Sequence, residues 1–260
     1  MTHEELLGSL SELRLNHMKN EFADFARIAG RDNKSYEQYL FMLTQSELRG
    51  RQDTKVKRLI KEAKFPLIKE LEKYDYKKVK GITARDVNRL SGADFVKEGK
   101  NIVLFGQIGV GKTHLAIGLG KVLCEKKYRC LFVGTSSLID MLLESQKKLE
   151  MGSLWKKLDL YDVIICDELG YIPQTKEGAD LFFQFISQRY ERKSLVITTN
   201  LTYSEWDKVF LNETTTAAAV DRIIHRCETY NIEADSWRKR EALARKNELE
   251  SKDEIVIETN

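Results

Sequence analysis

Short apolar runs alternate with segments of helical periodicity through the middle of the chain. The apolar runs, which have the length and composition of buried strands, lie at residues 101–105, 129–134, 162–168 and 195–199. Between the first two runs, apolar residues recur at helical spacing, as do Leu115, Leu119 and Leu123. No hairpin turn signal joins one run to the next, so the alternation predicts parallel strands connected by helical crossovers. The pattern indicates an α/β domain.

The first part of the chain has a helical pattern without such runs. Thr2 and Glu5 form a capping-box pattern that predicts a helix start, and Ser35 and Gln38 predict a second one. The helical spacing then continues towards Pro66, where the proline should interrupt it. We therefore predict a small domain of two or three helices that precedes the α/β domain.

Length and composition are compatible with this division. The chain has 260 residues, of which 42% are hydrophobic and 32% are charged, and this favours a folded globular protein over a disordered one. A chain of this length accommodates one sizeable core and one smaller module. We predict a helical domain over residues 1–75, a nucleotide-binding domain over residues 76–250 and an acidic tail over residues 251–260.

A phosphate-binding loop occupies the connection between the first apolar run and the helix that follows it. Residues 106–113 fit the pattern Gly-x-x-x-x-Gly-Lys-Thr, in the strand–loop–helix context that this motif requires. Glycines allow successive backbone N–H groups to point at phosphate oxygens, and the helix start adds partial positive charge. We expect Lys112 to neutralise the outer phosphates of ATP and Thr113 to bind Mg²⁺. The predicted nucleotide-binding residues are Gly106, Gln107, Ile108, Gly109, Val110, Gly111, Lys112, Thr113 and His114.

Two carboxylates end the third apolar run. Asp167 and Glu168 are expected at the carboxyl edge of the sheet, where ligands bind in open α/β folds. Asp167 is therefore a candidate ligand of Mg²⁺, and Glu168 is a candidate to polarise the water that attacks ATP. The alternative is an ordinary strand followed by the acidic start of a helix. The phosphate-binding loop upstream favours the catalytic interpretation, and an acid pair favours hydrolysis over phosphoryl transfer to a small molecule.

Polar side chains further along the chain are candidates for the same chemistry. Asn200 ends the fourth apolar run, where its amide could orient the attacking water, although such an asparagine alone is usually a turn residue. Arg222 and Arg226 lie one turn apart in a helical segment. Either arginine is a solvated charge or a group that reaches the active site of a neighbouring subunit. The residues alone leave these alternatives open.

The positive charge of the chain is concentrated in one block. The net charge is +3, but residues 1–48 carry −3 and residues 49–80 carry +7. Non-specific DNA binding requires cations against the phosphate backbone more than groups that read bases. The alternative, a solvated helix face, is equally consistent with the composition. The candidate DNA-binding residues of this block, and of a weaker second cluster, are Arg49, Arg51, Lys55, Lys57, Arg58, Lys61, Lys147 and Lys148.

Cysteine usage and hydropathy limit the cellular setting. Cys124, Cys130, Cys166 and Cys227 show neither Cys-x-x-Cys spacing nor a matching histidine cluster, which favours reduced, structural thiols without zinc. No apolar run reaches membrane-spanning length, and the first five residues do not resemble a signal peptide. We expect a cytoplasmic protein without membrane association.

Four motifs together resemble those of the IstB family, the ATPase helpers of IS21-type transposons. DnaC-type helicase loaders share the ATPase motifs, but the segment with Phe65-Pro66 and the run that follows Asp167 favour IstB, and the likeness covers nearly the whole chain. The motifs are Gly106-x-x-Gly-x-Gly-Lys112-Thr113-His114-Leu115-Ala116, Asp167-Glu168-Leu169-Gly170-Tyr171, Thr198-Thr199-Asn200 and Asp221-Arg222-Ile223.

The resemblance implies an AAA+ fold, which is a P-loop NTPase with a five-stranded parallel αβα sheet, together with a helical N-terminal domain. It also implies ATP-dependent assembly of a homo-oligomer on double-stranded DNA with little sequence preference, deformation of that DNA, and recruitment of a partner transposase. By motif position it assigns Asn200 as sensor 1, Arg222 as the arginine finger and Arg238 as sensor 2. The chain departs from the family pattern in having little sequence for a separate helical lid after the sheet.

Three other functions compete with this one. A replicative helicase loader of the DnaC type would use the same ATPase core with a helicase as its target. A small-molecule kinase would transfer phosphate to a metabolite, which the pair Asp167 and Glu168 disfavours. A structural DNA-binding protein with a vestigial nucleotide site is disfavoured by the intact Lys112 and Thr113.

Overall fold

A computed structural model describes residues 2–170 and 175–235 of the chain. The chain divides into two units, of which the first ends at Arg58 and the second begins at Leu59. None of the helices in these residues combines the length and the apolar character that crossing a lipid bilayer requires.

Helices form the first unit. Thr2 Oγ1 accepts a hydrogen bond from the N–H of Glu5, and the Glu5 carboxylate accepts one from the N–H of Thr2 at 2.7 Å. Ser35 and Gln38 exchange the corresponding pair of hydrogen bonds at 3.0 and 3.3 Å. Both predicted helix starts are therefore confirmed. The helices are α1 (His3–Glu12), α2 (Asn16–Arg31) and α3 (Tyr36–Glu62), of which α3 continues from Leu59 onward into the second unit.

A buried carboxylate caps the helix that lacks a cap of its own. The residue before α2, Leu15, has no side chain that can accept a hydrogen bond. Instead, Glu47 of α3 accepts hydrogen bonds from the N–H groups of His17 (2.8 Å) and Met18 (3.0 Å). Arg51 Nε donates to the same carboxylate at 2.7 Å. Glu47 therefore satisfies two backbone donors that a helix start leaves unpaired.

Helices and strands alternate in the second unit. Three short 3₁₀ turns occur at Leu71–Lys73, Tyr76–Lys78 and Tyr203–Glu205. The strands are β1 (Asn101–Phe105), β2 (Cys130–Gly134), β3 (Val163–Leu169), β4 (Ser194–Thr199) and β5 (Cys227–Asn231). The helices are α4 (Ala84–Ser91), α5 (Asp94–Lys97), α6 (Lys112–Glu125), α7 (Thr135–Lys147), α8 (Met151–Asp159), α9 (Lys176–Arg189), α10 (Asp207–Phe210) and α11 (Glu213–Ile224).

The strands form one parallel sheet in the order β2-β3-β4-β1-β5. The predicted parallel α/β fold is therefore confirmed, with β4 inserted between β1 and β3. The residue pattern alone had indicated four strands, and the fifth, β5, lies at the edge of the sheet beside β1. The order places the carboxyl ends of β1, β4 and β3 side by side, and ligands bind at such an edge.

Apolar side chains cover both faces of the sheet. In β1, Ile102 and Leu104 pack in one core cluster with residues of α6, such as Leu119. Val103 points the other way, into a cluster with residues of α7 and α9, such as Leu138 and Phe182. The alternation along β1 follows from the two-residue period of a strand. The second unit is thus a three-layer αβα arrangement.

The segment after α3 belongs to the core of the second unit. α3 ends at Glu62, four residues before Pro66, and Lys64 adopts a left-handed φ of +57° that a helix cannot continue through. The carbonyl oxygen of Ala63 accepts a hydrogen bond from the N–H of Phe132 at 2.8 Å. The sequence prediction had assigned residues 59–75 to the helical domain, whereas this core contains Leu59, Ala63, Leu71 and Tyr74.

Candidate functional site

The phosphate-binding loop connects β1 to α6 and depends on its glycines. Gly106, Gly109 and Gly111 have φ values of +146°, +85° and +98°, which residues with a Cβ rarely adopt. The ammonium group of Lys112 donates to the carbonyl oxygens of Gly106 at 2.6 Å and Gln107 at 2.8 Å. The loop therefore folds around this lysine at the start of α6, where the first N–H groups of a helix lack intrahelical partners.

Three threonine hydroxyls converge on Asp167. Its Oδ1 atom accepts hydrogen bonds from Thr113 Oγ1 at 2.9 Å and from Thr198 Oγ1 at 2.5 Å. Its backbone carbonyl oxygen accepts one from Thr135 Oγ1 at 2.9 Å. Asp167 is 8% exposed, so its carboxylate is fixed by Thr113 and Thr198 rather than by bulk water. The structure thus brings together the two predicted Mg²⁺ ligands, Thr113 and Asp167.

A β-bulge places the second carboxylate of the acid pair. The pairing of β3 with β4 skips one position, so that Asp167 and Glu168 both lie opposite the single residue Thr198. Glu168 has a φ of +58°, uncommon for a residue with a Cβ, and its N–H donates to Thr198 Oγ1 at 2.9 Å. Asp167 is buried, whereas Glu168 is exposed and lines a pocket.

This pocket lies between the phosphate-binding loop and the ends of β3 and β4. Its cavity volume of about 490 Å³ is in the range of small-molecule sites. Gly106 and Gln107 hold Lys112 through their carbonyl oxygens, and Asp167 reaches the pocket through Thr113. The predicted site residues that line the pocket directly are Ile108, Gly109, Val110, Gly111, Lys112, Thr113, His114, Glu168 and Asn200.

One wall of the pocket was missed by sequence reasoning. Tyr74 Oη donates to the carbonyl oxygen of Val110 at 3.3 Å, and the rings of Tyr74 and His114 meet edge-on, with centroids 5.3 Å apart. The Nε2 atom of His114 lies 3.0 Å from the carbonyl oxygen of Glu70. The available signal was a pair of tyrosines, Tyr74 and Tyr76, in an otherwise charged segment. The wall consists of Lys69, Lys73, Tyr74, Asp75 and Val79.

The two arginines of the helical segment differ in their surroundings. Arg222 on α11 does not line the pocket of its own chain. It is half-buried, its Nη1 donates to the carbonyl oxygen of Ala218 at 3.0 Å, and its guanidinium carbon lies 4.9 Å from the centre of the Phe183 ring. Arg226 lies 3.8 Å from the carboxylate of Glu191. Arg222 is thus held by its neighbours in a defined position outside its own pocket.

The candidate DNA-binding residues are exposed. The five in α3 up to Arg58, and Lys61 at its end, are all exposed. Of these, Arg51 also binds the carboxylate of Glu47. Lys147 and Lys148 lie at the end of α7, where Lys148 is 3.8 Å from Glu144. The predicted sensor 2 residue, Arg238, lies outside the described residues, as does the end of the motif at Tyr171.

The cysteines are unpaired thiols with a structural setting. Three of them are buried, and Cys227 is half-buried. Burial raises the pKa of the Cys166 thiol to about 12, and the negative charge of the adjacent Asp167 acts in the same direction. A thiol in this state is a small apolar group rather than a nucleophile or a metal ligand. Among residues 2–170 and 175–235, no group of three or more His, Cys, Asp and Glu side chains could hold a metal ion.

A family match covers most of the chain. The family described as IstB-like ATP binding protein matches residues 8–245. A relative from Pseudomonas aeruginosa, an ATP-binding protein of insertion sequence IS21, is 33% identical over 91% of this chain and 89% of its own length. An insertion-sequence ATP-binding protein from Sinorhizobium fredii is 34% identical over 91% of this chain and 80% of its own length.

Solved structures are similar to the chain in fold. The DnaC helicase loader has a TM-score of 0.51 at 24% identity, covering 56% of this chain and 86% of its own. AMPPCP-bound DnaA from Aquifex aeolicus has a TM-score of 0.54 at 18% identity, covering 64% of this chain and 50% of its own. These likenesses confirm the predicted AAA+ P-loop fold, and the helical N-terminal region is present as well.

Proposed function

We propose, since this chain belongs to the family of IstB-like ATP binding proteins, that it is an ATPase that assists the transposition of an IS21-type insertion sequence. ATP binding causes copies of the chain to assemble on double-stranded DNA, and hydrolysis weakens the assembly. The assembly deforms the DNA and recruits the partner transposase. The observation that carries this proposal is that two separate elements, α6 and β3, bring Lys112, Thr113, Asp167 and Glu168 together at one pocket.

The phosphates of ATP would be held by the loop at the start of α6. The glycines with positive φ allow the backbone to approach an anion closely, and the helix start favours negative charge. Lys112 already lies within the loop, bound to two of its carbonyl oxygens. A triphosphate offers this ammonium stronger, charged partners, so we infer that Lys112 exchanges its contacts when ATP binds.

Mg²⁺ fits the oxygen donors of the site. The Thr113 hydroxyl and the Asp167 carboxylate, 2.9 Å apart, are hard oxygen ligands of the kind that Mg²⁺ prefers. A site that includes substrate phosphates requires only one or two protein ligands. When bound, the ion would neutralise charge on the β- and γ-phosphates.

Hydrolysis requires a group that activates water, and Glu168 is suited to this role. Its carboxylate is exposed in the pocket, while its backbone is fixed by Thr198. Asn200 lies at the end of the neighbouring strand and lines the same pocket, so its amide is available to orient the water. In these positions Glu168 accepts a proton from the attacking water and Asn200 fixes its direction.

A neighbouring copy of the chain would complete the site. Arg222 stays outside its own pocket, and it is held by Ala218 and Phe183 on a half-exposed face. An arginine supplied in trans stabilises the charge of the transferring phosphate. Assembly and nucleotide state are then coupled, because ATP and the neighbour contact each other. By family position Arg238 contributes as sensor 2.

DNA would be bound by cations that repeat from copy to copy. Exposed lysines and arginines of α3 and of the end of α7 offer phosphate contacts without base-reading groups. Modest contacts from each copy add up along the duplex, so the complex is tight and sensitive to salt. A cytoplasmic location follows from this substrate.

The experiment that tests this function measures the ATPase rate with and without duplex DNA, together with particle size by light scattering. We expect large particles when ATP and DNA are both present. We also expect the ATPase rate to differ between samples with and without DNA. The variant Lys112→Ala should lose both nucleotide binding and ordered assembly. Particles of the same size on DNA with and without ATP would contradict the proposal. Capture of a replicative helicase, rather than the transposase, would instead favour a loader of the DnaC type.

A further inference from the structure

We propose that Thr198 is a positioning residue that aligns the two carboxylates of the ATPase site with a single hydroxyl group. The inference rests on the proposed function, because it assigns roles to Asp167 and Glu168 in hydrolysis. Thr198 belongs to β4, between the strand that leads into the phosphate-binding loop and the strand that carries the acids.

The geometry of the hydroxyl supports this assignment. Thr198 Oγ1 donates to Asp167 Oδ1 at 2.5 Å and accepts from the N–H of Glu168 at 2.9 Å. The first bond has the length of a hydrogen bond to an ionised carboxylate. Thr198 is fully buried, with 0% exposure, so neither bond competes with bulk water. The Thr198 hydroxyl therefore fixes both the orientation of the Asp167 side chain and the backbone conformation at Glu168.

The backbone of Glu168 explains why such a group is needed. With a φ of +58° Glu168 adopts a left-handed conformation that is unfavourable for a residue with a Cβ, and the bulge removes its regular pairing with β4. The Thr198 hydroxyl replaces the partner that the N–H of Glu168 loses from the ladder. Without this acceptor, the backbone that directs the Glu168 carboxylate into the pocket loses its main restraint on the β4 side.

The same hydroxyl also affects the magnesium side of the site. Asp167 Oδ1 accepts from both Thr198 and Thr113, so Thr198 fixes the oxygen that faces the second predicted ligand. Loss of the Thr198 hydroxyl would leave the buried carboxylate with Thr113 as its remaining hydroxyl partner and would weaken the restraint on its rotation. We therefore expect Thr198 to affect turnover and metal dependence rather than the affinity for the nucleotide itself.

The test compares Thr198→Val, Thr198→Ser and wild type. Valine keeps the shape but can neither donate nor accept, whereas serine keeps the hydroxyl. For Thr198→Val we expect kcat to fall about 10- to 100-fold, the loss of hydrogen bonds to a charged group. The Mg²⁺ concentration at half-maximal rate should rise, while ATP affinity without metal changes less than about threefold. Thr198→Ser should restore kcat to within about threefold of wild type.

The control is Ser194→Ala, which removes a buried hydroxyl from the other end of β4, where it donates to the carbonyl oxygen of Phe95. It should leave kcat unchanged. A wild-type kcat in Thr198→Val would overturn the inference, as would an equal loss in Thr198→Val and Thr198→Ser. If Thr198→Val does not fold, as judged by circular dichroism, Thr198→Ala, which also lacks the hydroxyl, replaces it in the comparison with Thr198→Ser. A wild-type chain without ATPase activity would instead contradict the proposed function.

Discussion

The hydroxyl group of Tyr74 binds the carbonyl oxygen of Val110 at 3.3 Å, so a residue outside the phosphate-binding loop braces that loop. The ring of Tyr74 also fills the space beside Gly111, where an added Cβ would lie 2.8 Å from it. The loop is therefore held from the segment that precedes the sheet as well as from β1 and α6.

Removing the Tyr74 hydroxyl should weaken nucleotide binding. We expect Tyr74→Phe to raise the Kd for ATP about 2- to 10-fold, the value of one neutral hydrogen bond, because the ring contact is kept. Isothermal titration measures the change. The matched control is Tyr76→Phe, which removes a hydroxyl that binds the carbonyl oxygen of Leu71 outside the pocket. An equal effect of the two variants would mean that the loop is not braced by Tyr74.

Neutralising Glu168 should separate binding from turnover. Glu168→Gln keeps the size of the side chain but cannot accept a proton from water, so we expect ATP affinity to change little and kcat to fall at least about 100-fold. Complexes with DNA should then live longer in the presence of ATP, as measured by their dissociation rate. Unchanged turnover would remove Glu168 from the role of base.

Mixing two inactive variants should reveal whether Arg222 acts in trans. Arg222→Ala retains Glu168, and Glu168→Gln retains Arg222. In mixed assemblies, some sites combine the intact carboxylate of one copy with the arginine of the next, so we expect part of the ATPase activity to return. The measurement is the ATPase rate as a function of the mixing ratio. If every ratio gives only the sum of the separate rates, Arg222 does not complete a neighbour's site.

Reversing the charge of three cations in α3 should weaken DNA binding. In the triple variant Lys57→Glu, Arg58→Glu, Lys61→Glu, we expect weaker DNA binding. If each cation contacts one phosphate, the negative slope of log K for DNA association against log salt concentration should become shallower by about 3. Fluorescence anisotropy over a salt series measures the slope. The control places the same change of net charge at three exposed lysines that are not DNA candidates, namely Lys126, Lys127 and Lys176. Equal slopes for the two triple variants would show that DNA does not bind at these residues of α3.

The cap of α2 predicts how the stability of the first unit depends on pH. Burial raises the pKa of Glu47, but hydrogen bonds from Arg51 and from the N–H groups of Met18 and His17 outweigh it, so the pKa is lowered. A lowered pKa means that the charged form stabilises the fold above the ordinary value of 4.5 and that this contribution is lost as the pH falls further.

The variant Glu47→Gln should therefore destabilise the protein at neutral pH, by about 1–3 kcal/mol. The difference in Tm between Glu47→Gln and wild type should shrink as the pH is lowered through the acidic range, as measured by calorimetry. Glu12→Gln, a change at an exposed site near the end of α1, serves as the control. A difference that does not depend on pH would show that the charge of Glu47 is not what stabilises α2.

The sequence was most informative where structure and chemistry are local. The runs at β1 and β3 are apolar because both faces of the sheet are covered, and the motifs follow them directly in the chain. By contrast, β5 has the sequence Cys-Glu-Thr-Tyr-Asn, with one buried residue among five, because it lies at the sheet edge. Only the family resemblance had implied this fifth strand.

Contacts between distant residues escaped prediction. Tyr74 and Val110 are 36 positions apart, and the two tyrosines in the charged segment suggest a buried contact without indicating that its partner is the loop. Thr198 was quoted only as part of a motif, since a threonine in a strand is ordinary. Its importance depends on the register in which β4 pairs with β3, which cannot be derived from β4 alone.

The bulge in β3 determines how the site would respond to a change in chain length. At the bulge, β3 has two residues, Asp167 and Glu168, opposite the single residue Thr198 of β4, so one of the two acids is an extra residue in the ladder. Deleting Glu168 would let the ladder run without interruption, so the sheet would survive the shortening. The sheet would therefore tolerate the deletion of Glu168, whereas the proposed hydrolysis of ATP would not.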